Sequence, residues 1–442
     1  MPLFGRKKNE DPATPLDRTR EPLPPPPEPG PSGLRSMEDH RDYLLSCLEP
    51  LPAFSQHVLD ALGLSLCEDI TSTINMPRFD NSAMDGYAVR AVDVAGASEQ
   101  TPVSLPVVGE VAAGQDALHR LSPGTAMKIM TGAPVPAGAD AVVPYEATDR
   151  GSSDVRVVAP STVGQHIRYV GEDVQAGAQL FSVGDQLGPR AIGLLAGIGL
   201  DKVLVRPRPR VAVVSTGTEL VEPGRELGNA HQIYDSNSYL LAAAASQAGA
   251  DVFRVGLVSD DPEQVKQLIL DQLVRADLVV TTGGVSQGDY DVVKAVVPEL
   301  GATDFTQVAM QPGKPQGFGL VGEDRTPMIM LPGNPVSAFV SFEAFVRPAI
   351  RRLMGLTPCT RPASRARLTH PVRSAPGRRQ LARGIVTLDA DGTHLVELAG
   401  GHGSHLMADL ARANALVVLA EDTTAVEAGE DVEVWLLEEV AG

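Results

Sequence analysis

The stretch from residue 207 to 356 constrains the fold more than any other. Val211-Ala212-Val213-Val214-Ser215 is a short, continuous apolar run of the kind that forms a strand buried on both faces. A helical window, Leu240 to Gln247, follows, then a strand from Val252 to Val258 and a helix from Pro262 to Val274 with proline near its start. Leu278-Val279-Val280-Thr281-Thr282 reads as a third strand, stopped by Gly283-Gly284. Met328 to Leu331 is a later strand, and Pro335 to Leu353 a long helix. Strands that alternate with helices predict an α/β domain with a mainly parallel sheet covered on both faces.

In such a sheet, ligands bind beyond the carboxyl ends of the strands. The loops expected there share one composition. They are Ser215-Thr216-Gly217-Thr218-Glu219, Thr282-Gly283-Gly284-Val285-Ser286 with Gly288-Asp289-Tyr290-Asp291, and Pro332-Gly333-Asn334-Pro335, with Gln311-Pro312-Gly313-Lys314-Pro315 between them. Glycines let backbone N–H groups approach an oxyanion, and helix N-termini add partial positive charge. Lys314, between Gly313 and Pro315, could offer a fixed cation. Glu219, Asp235, Asp289 and Asp291 are carboxylates on the same edge, and carboxylates beside a phosphate commonly hold Mg²⁺. Each feature alone has a simpler explanation. Gly-Gly makes a turn, Asp235 or Asn334 caps a helix, and Lys314 is a solvated charge. Their recurrence on one edge points to Mg²⁺-dependent handling of a phosphorylated or nucleotide-like ligand, and the residues alone reach no further.

The rest of the chain divides by texture. Residues 1–35 hold Arg6-Lys7-Lys8 and Pro24-Pro25-Pro26-Pro27, too little apolar surface to fold, and are expected to be a disordered tail or a polyproline docking site. Ser36 and Asp39 have capping-box spacing ahead of a helix. A second helix is expected around Leu59, Leu62, Leu64 and Leu66, stopping near Gly63. From about 70 to 185, Val-rich pieces alternate with Gly and Pro, which predicts a β-rich domain. After Pro362 the pattern is again β, with strands at Ala415 to Leu419 and Val432 to Leu437.

A formal charge of −18 with no basic stripe argues against nucleic acid as a partner. Three cysteines with no C-x-x-C pair argue against structural zinc or a disulfide framework. No run of 18 apolar residues suggests a membrane span, so a reducing, cytoplasmic setting is expected.

Several strings resemble the MoeA/gephyrin E-domain family of molybdopterin molybdotransferases. They are FDNSAMDGYAV (79–89), MTGAPVPAGADAVV (130–143), GEDV (171–174), STGTEL (215–220), IYDSNS (233–238), TTGGVSQGDYD (281–291), QPGKP (311–315), LPGNPVSA (331–338) and GSHLMADLARANAL (403–416). The resemblance implies an elongated homodimer whose site lies between the α/β domain of one protomer and the β-rich domain of the other. On this chain the implied parts are a helical segment from 36–62 and 170–206, a β-rich domain at 63–169, an α/β molybdopterin-binding domain at 207–356 and a C-terminal β-barrel at 357–442.

The implied reaction joins molybdate to adenylylated molybdopterin and releases AMP. By matching motifs, Asp85, Thr131, Asp173, Glu219, Asp235, Asp291 and Lys314 are its catalytic residues, with Asp85, Asp235 and Asp291 holding Mg²⁺. Gly283, Gly284 and Ser286 would cradle the pterin phosphate, helped by Gly313, Pro332, Gly333 and Asn334, with Ser404 a further candidate. Three positions depart from the family pattern: Thr218 stands where Asp is frequent, Gln311 where a basic residue is frequent, and Arg168-Tyr169 where an Arg pair is frequent. Some family members act as scaffolds. The alternative is therefore a gephyrin-like protein that binds a partner's peptide through the C-terminal domain or the proline-rich tail.

Overall fold

The computed structural model describes residues 19, 21–114, 120–258, 261–284, 292–401 and 403–438. They form two compact units. One comprises residues up to 55, 63–65 and those from 204 onward; the other comprises 56–62 and 66–203.

The first unit contains the expected α/β domain. Its elements are β1 (Arg210–Thr216), α1 (Asn237–Gln247), β2 (Asp251–Val258), α2 (Pro262–Leu273), β3 (Leu278–Thr282), α3 (Val292–Leu300), β4 (Gly301–Gln307), β5 (Pro315–Val321) and β6 (Thr326–Leu331). Their sheet order is β2-β1-β3-β6-β5-β4. The first four strands are parallel, in the register Val211↔Val252, Val211↔Leu278 and Val279↔Met328. Ala212, Val214, Val279, Met328 and Met330 pack on Val265 and Ile269 of α2 and Val293, Val296 and Val297 of α3. Val211, Val213, Val280 and Ile329, of opposite parity, are equally buried, so both faces are covered.

The sequence reading did not foresee the antiparallel edge formed by β5 and β4. Its signal is weak because β5 carries glycines where strands prefer side chains. Those glycines make room: a Cβ on Gly317 would lie 2.9 Å from the Phe305 ring.

The long helix is interrupted. It runs as α4 (Pro335–Ser341), a π-helical turn (Phe342–Val346) and α5 (Arg347–Leu353). Pro348 has no N–H to continue the i→i−4 ladder, which accounts for the wider turn before it. Glu343 in that turn is 3% exposed. It is held by Arg361, whose Nε donates to Oε2 at 2.6 Å.

One expectation about the N-terminal region is corrected. The helix Met37–Ser46 does form, and Ser36 Oγ accepts from the Asp39 N–H at 3.0 Å as its spacing predicts. It lies in the first unit. Its apolar face is the reason: Met37 and Leu44 are buried, and His40 meets Phe345 edge-on at 4.9 Å. The second helix is only a 3-10 turn, Leu59–Ala61.

Residues 21–35 are also fixed to the first unit rather than free. Arg325 Nη1 donates to Glu21 O at 2.7 Å, Tyr43 OH to Pro24 O at 3.0 Å, and Arg35 Nη1 to Asp304 Oδ2 at 2.6 Å. Composition missed this because specific polar contacts, not apolar burial, anchor the segment. Residues 1–18 and Arg20 lie outside the described set.

At the C-terminal end, five strands close into a barrel: Ala363–Leu368, Arg379–Leu388, His394–Leu398, Ala415–Leu419 and Asp431–Leu436. Ala366, Val386, Val396, Val417 and Val434 fill it. The second unit is built around a five-stranded sheet, in the order Ala141–Pro144, Gly86–Val89, Ala126–Ile129, Val103–Val111, Asp154–Val157. Tyr87, Leu105, Val143 and Val155 lie in its core.

Burial, reinforced by the neighbouring Arg35 cation, lowers the His40 pKa to about 3. The unfolded chain takes up this proton near pH 6.5. The neutral ring therefore contributes stability that is complete above pH 6.5 and is lost as pH falls toward 3, at about 1.4 kcal/mol per pH unit. His40→Asn keeps an acceptor for Arg35 but cannot ionise. Its unfolding free energy in urea should decline less steeply than the wild type's between pH 6.5 and 5. Parallel pH profiles would contradict the assignment.

Candidate functional site

A cleft of about 550 Å³ opens at the carboxyl ends of β1, β3 and β6. Ser215, Thr216, Glu219 and Leu220 line it from the first loop, Thr282, Gly283 and Gly284 from the second, and Gly333, Asn334 and Pro335 from the third. Ile233, Tyr234, Asp235, Ser236 and Asn237 form the wall that leads into α1, and His405 completes it.

Three constraints shape the cleft. The first is Asp235, 1% exposed. Its Oδ1 accepts from Ser215 Oγ at 3.0 Å and from the Ser238 N–H at 3.1 Å, and its Oδ2 accepts from Ser238 Oγ at 2.5 Å. It thereby ties the end of β1 to the first turn of α1 and satisfies an N–H that the helix itself leaves free. Arg254 of β2 stands behind it, with Nη1 4.0 Å from Oδ2. The same guanidinium pairs with Glu222 and lies 4.1 Å over the Tyr239 ring. The Arg254 and Tyr239 hydrogen bonds hold the Glu222 carboxyl below its ordinary pKa.

The second constraint is Asn237, the first residue of α1. Its Nδ2 donates to Thr282 Oγ1 at 2.9 Å and to Gly333 O at 2.6 Å. Thr282 Oγ1 in turn donates to Pro332 O at 3.1 Å. A single side-chain amide therefore sets the spacing of the second and third turns.

The third is the close approach of the backbone. Gly283 has φ +91°, and a Cβ there would lie 3.0 Å from Thr216 O. Any side chain at Gly283 would be strained by its backbone angle and would press on the first turn.

Of the residues expected in the site, Glu219, Asp235, Gly283, Gly284, Gly333 and Asn334 meet in the cleft. Asn334 also occupies the N-cap position of α4, without a side-chain capping bond, and Pro335 is at its first turn. Pro332 contributes the carbonyl that Thr282 uses. Ser404 sits at the start of α4, where its carbonyl accepts from the Val336 N–H at 3.1 Å. Lys314 and Gly313 lie on the turn ahead of β5, and the Gly313 carbonyl is held by Gln316 Nε2 at 2.6 Å. Neither is among the described residues that line the cleft. Ser286, Asp289 and Asp291 lie outside the described residues.

Asp85, Thr131 and Asp173 belong to the second unit. Asp85 Oδ1 accepts from the Thr131 N–H at 2.7 Å and from Thr131 Oγ1 at 2.8 Å. The backbone bond, then the hydroxyl, lowers the Asp85 pKa and keeps its carboxylate charged. Asp173 lines a cavity of about 620 Å³ with Arg78, Arg168 and Glu172.

Sequence reasoning did not single out Tyr234, Asn237 or His405. Tyr234 and Asn237 lie within the IYDSNS string, but only the fold shows which neighbours their side chains reach.

Among the described residues, no three acidic, histidine or cysteine side chains come together. Both oxygens of Asp235 accept hydrogen bonds from protein donors. In the described geometry Asp235 links the end of β1 to the first turn of α1.

This predicts a difference between two acids of one cleft. Asp235→Ala should lower the unfolding free energy by about 1–2 kcal/mol. The exposed Glu219, replaced by Ala, should change it by under about 0.5 kcal/mol. Equal losses in chemical denaturation would contradict the distinction.

Comparison with known proteins covers nearly the whole chain. Residues 35–199 match the MoeA N-terminal region (domain I and II), 212–352 the domain described as "Probable molybdopterin binding domain", and 365–437 the MoeA C-terminal region (domain IV). Molybdopterin molybdenumtransferase 2 of Mycobacterium tuberculosis is 45% identical over 408 residues, covering 91% of this chain and 99% of that protein. Molybdopterin molybdenumtransferase 1 of the same organism is 41% identical over 423 residues, covering 91% and 99%. A solved molybdopterin biosynthesis MoeA protein from Pyrococcus horikoshii superposes with a TM-score of 0.75 at 29% identity, covering 91% of this chain and all of that one.

Proposed function

The chain belongs to the MoeA family, and from that premise we propose that it is a molybdopterin molybdenumtransferase. On this reading it takes adenylylated molybdopterin and molybdate, releases AMP and leaves molybdenum on the dithiolene. The observation that carries the proposal is the cleft. It opens at the strand ends of the segment 212–352, which matches a molybdopterin-binding domain.

The cleft suits a phosphate ester because of its backbone. The glycine turns at 283–284 and 333 let a phosphate approach main-chain N–H groups, and the first turn of α1 adds the positive end of an eleven-residue helix. Side-chain charge supplies little: among the described lining residues, only His405 can carry a positive charge, against Glu219 and Asp235. Lys314 is proposed as the second cation, for molybdate or phosphate. Glu219, exposed and lining the cleft, is the carboxylate able to accept a proton during phosphoanhydride cleavage.

Asp85, Thr131 and Asp173, and a homodimeric state, are proposed parts of the same machinery. Magnesium, expected on Asp85, Asp235 and Asp291, is a proposed further requirement. The relatives cited above are named for molybdenum transfer, which favours the enzyme over a scaffold. Among the described residues no helix is long and apolar enough to cross a membrane, and a cytoplasmic location is part of the proposal.

The test is AMP release from adenylylated molybdopterin, titrated separately with molybdate and Mg²⁺. Wild type should release AMP in a molybdate-dependent reaction. Asp85→Ala should fold normally, since the side chain is exposed, and lose at least about a hundredfold in rate, the scale on which removing one essential charged group acts. Absence of AMP release by wild type would refute the enzyme reading, and full activity in Asp85→Ala would remove that residue from the site.

A further inference from the structure

Residues 21–29, Glu-Pro-Leu-Pro-Pro-Pro-Pro-Glu-Pro, lie ahead of the region that matches the MoeA family. Every residue in this stretch is a proline or precedes one. Proline fixes φ near about −65° and drives the residue before it into extended backbone. The stretch is therefore held to a polyproline II path, with about three residues per turn and no internal hydrogen bonds. Its carbonyls are left for other donors.

The donors that meet them keep that period. Arg325 Nη1 donates to Glu21 O at 2.7 Å, Tyr43 OH to Pro24 O at 3.0 Å, and Arg35 Nε to Pro27 O at 3.2 Å. Positions 21, 24 and 27 are one turn apart, so the three carbonyls lie along a single edge of the helix. Leu23 and Pro27 are partly buried, whereas Pro22, Pro24, Pro25 and Pro26 are exposed.

Each donor is itself fixed, and the three come from separate places. Arg325 sits between β5 and β6 in left-handed backbone, φ +52°, which few non-glycine residues adopt. Its Nε also lies 3.7 Å from the Glu21 carboxylate. Tyr43, on the helix Met37–Ser46, packs edge-on against Phe318 of β5. Arg35 is 3% exposed and pairs with Asp304 of β4. Preset donors beside an aromatic ring, spaced for every third carbonyl, are suited to reading polyproline II.

We propose that Arg35, Tyr43 and Arg325 form a binding site for a proline-rich peptide in polyproline II form that begins with an acidic residue. Residues 21–29 are its resident ligand, supplied by the same molecule. The tether keeps the site filled, because it holds the segment at an effective concentration on the order of millimolar. An untethered peptide of the same kind gains access when the resident one is withdrawn. The site shares no residue with the cleft at the strand ends, so it stands apart from the catalytic reading.

A peptide of residues 21–29, labelled with fluorescein at its C-terminus and followed by anisotropy, tests it. One receptor is the wild-type full chain. The other is the full chain carrying Pro22→Gly, Pro24→Ser, Pro25→Gly, Pro26→Ser and Pro27→Gly, which removes the polyproline path and keeps all three donors. Circular dichroism checks its fold, and the double variant Pro24→Gly, Pro25→Gly serves for the same comparison if that fold is lost. The opened chain should bind the peptide saturably, and wild type at least about tenfold more weakly, since its own segment competes. In the opened chain, Arg325→Gly, which suits the left-handed backbone, should weaken binding about tenfold or more. Tyr43→Phe should weaken it about three- to tenfold; these are the scales of a charged and a neutral hydrogen bond. A peptide with glycine at positions 24 and 26 should bind at least about fivefold more weakly, because it must lose more backbone freedom.

No saturable binding to the folded opened chain overturns the proposal. So does equal binding to wild type, which would place the peptide elsewhere. Full affinity in Arg325→Gly and Tyr43→Phe overturns the assignment of the donors. Equal affinity for the glycine-bearing peptide overturns polyproline II as the form recognised.

Discussion

The carboxylate of Asp235 is the interaction on which the cleft depends. It sits with 1% exposure at the junction of β1 and α1, and three donors from Ser215 and Ser238 satisfy it. A buried charge without partners would be expensive; here the donors and the nearby Arg254 compensate it. The junction then fixes the residues on either side of it. Asn237 is brought where its amide reaches Thr282 and Gly333, and Tyr234 is turned outward. One satisfied ion thus organises three loops from separate parts of the sequence.

The loops present backbone more than side chains. Glycine at 283 is required by a positive φ and by the proximity of Thr216 O. That choice favours recognition by N–H groups and helix ends, whose geometry the scaffold fixes, over long flexible cations. It would also reconcile a chain of charge −18 with the anionic ligand proposed for it, through attraction that is local and dipolar and not a property of the whole surface.

The parallel part of the α/β domain was legible because its strands are continuous apolar runs. β1 and β3 read as buried strands and are so. The β4–β5 edge was not, since its glycines disguise a strand whose space is filled by Phe305 from its neighbour. The N-terminal segment was misread for a related reason. Prolines suggest a free chain, but Arg35, Tyr43 and Arg325 hold it by polar contacts that no local pattern reveals. Within the site, glycines and carboxylates could be found from their place after strands. The roles could not: Asp235 looks the same in sequence whether it faces a metal or a helix end. Asn237 was passed over because bridging two turns is a property of the fold alone.

The central claim is that the turns at 282–284 and 332–334 form the phosphate-binding wall of this chain. Amide hydrogen exchange with and without a saturating phosphate ester tests it directly. The account predicts slower exchange in those two turns and at the first residues of α1 when the ligand is present. Unchanged exchange there, with protection confined to other segments, would contradict it.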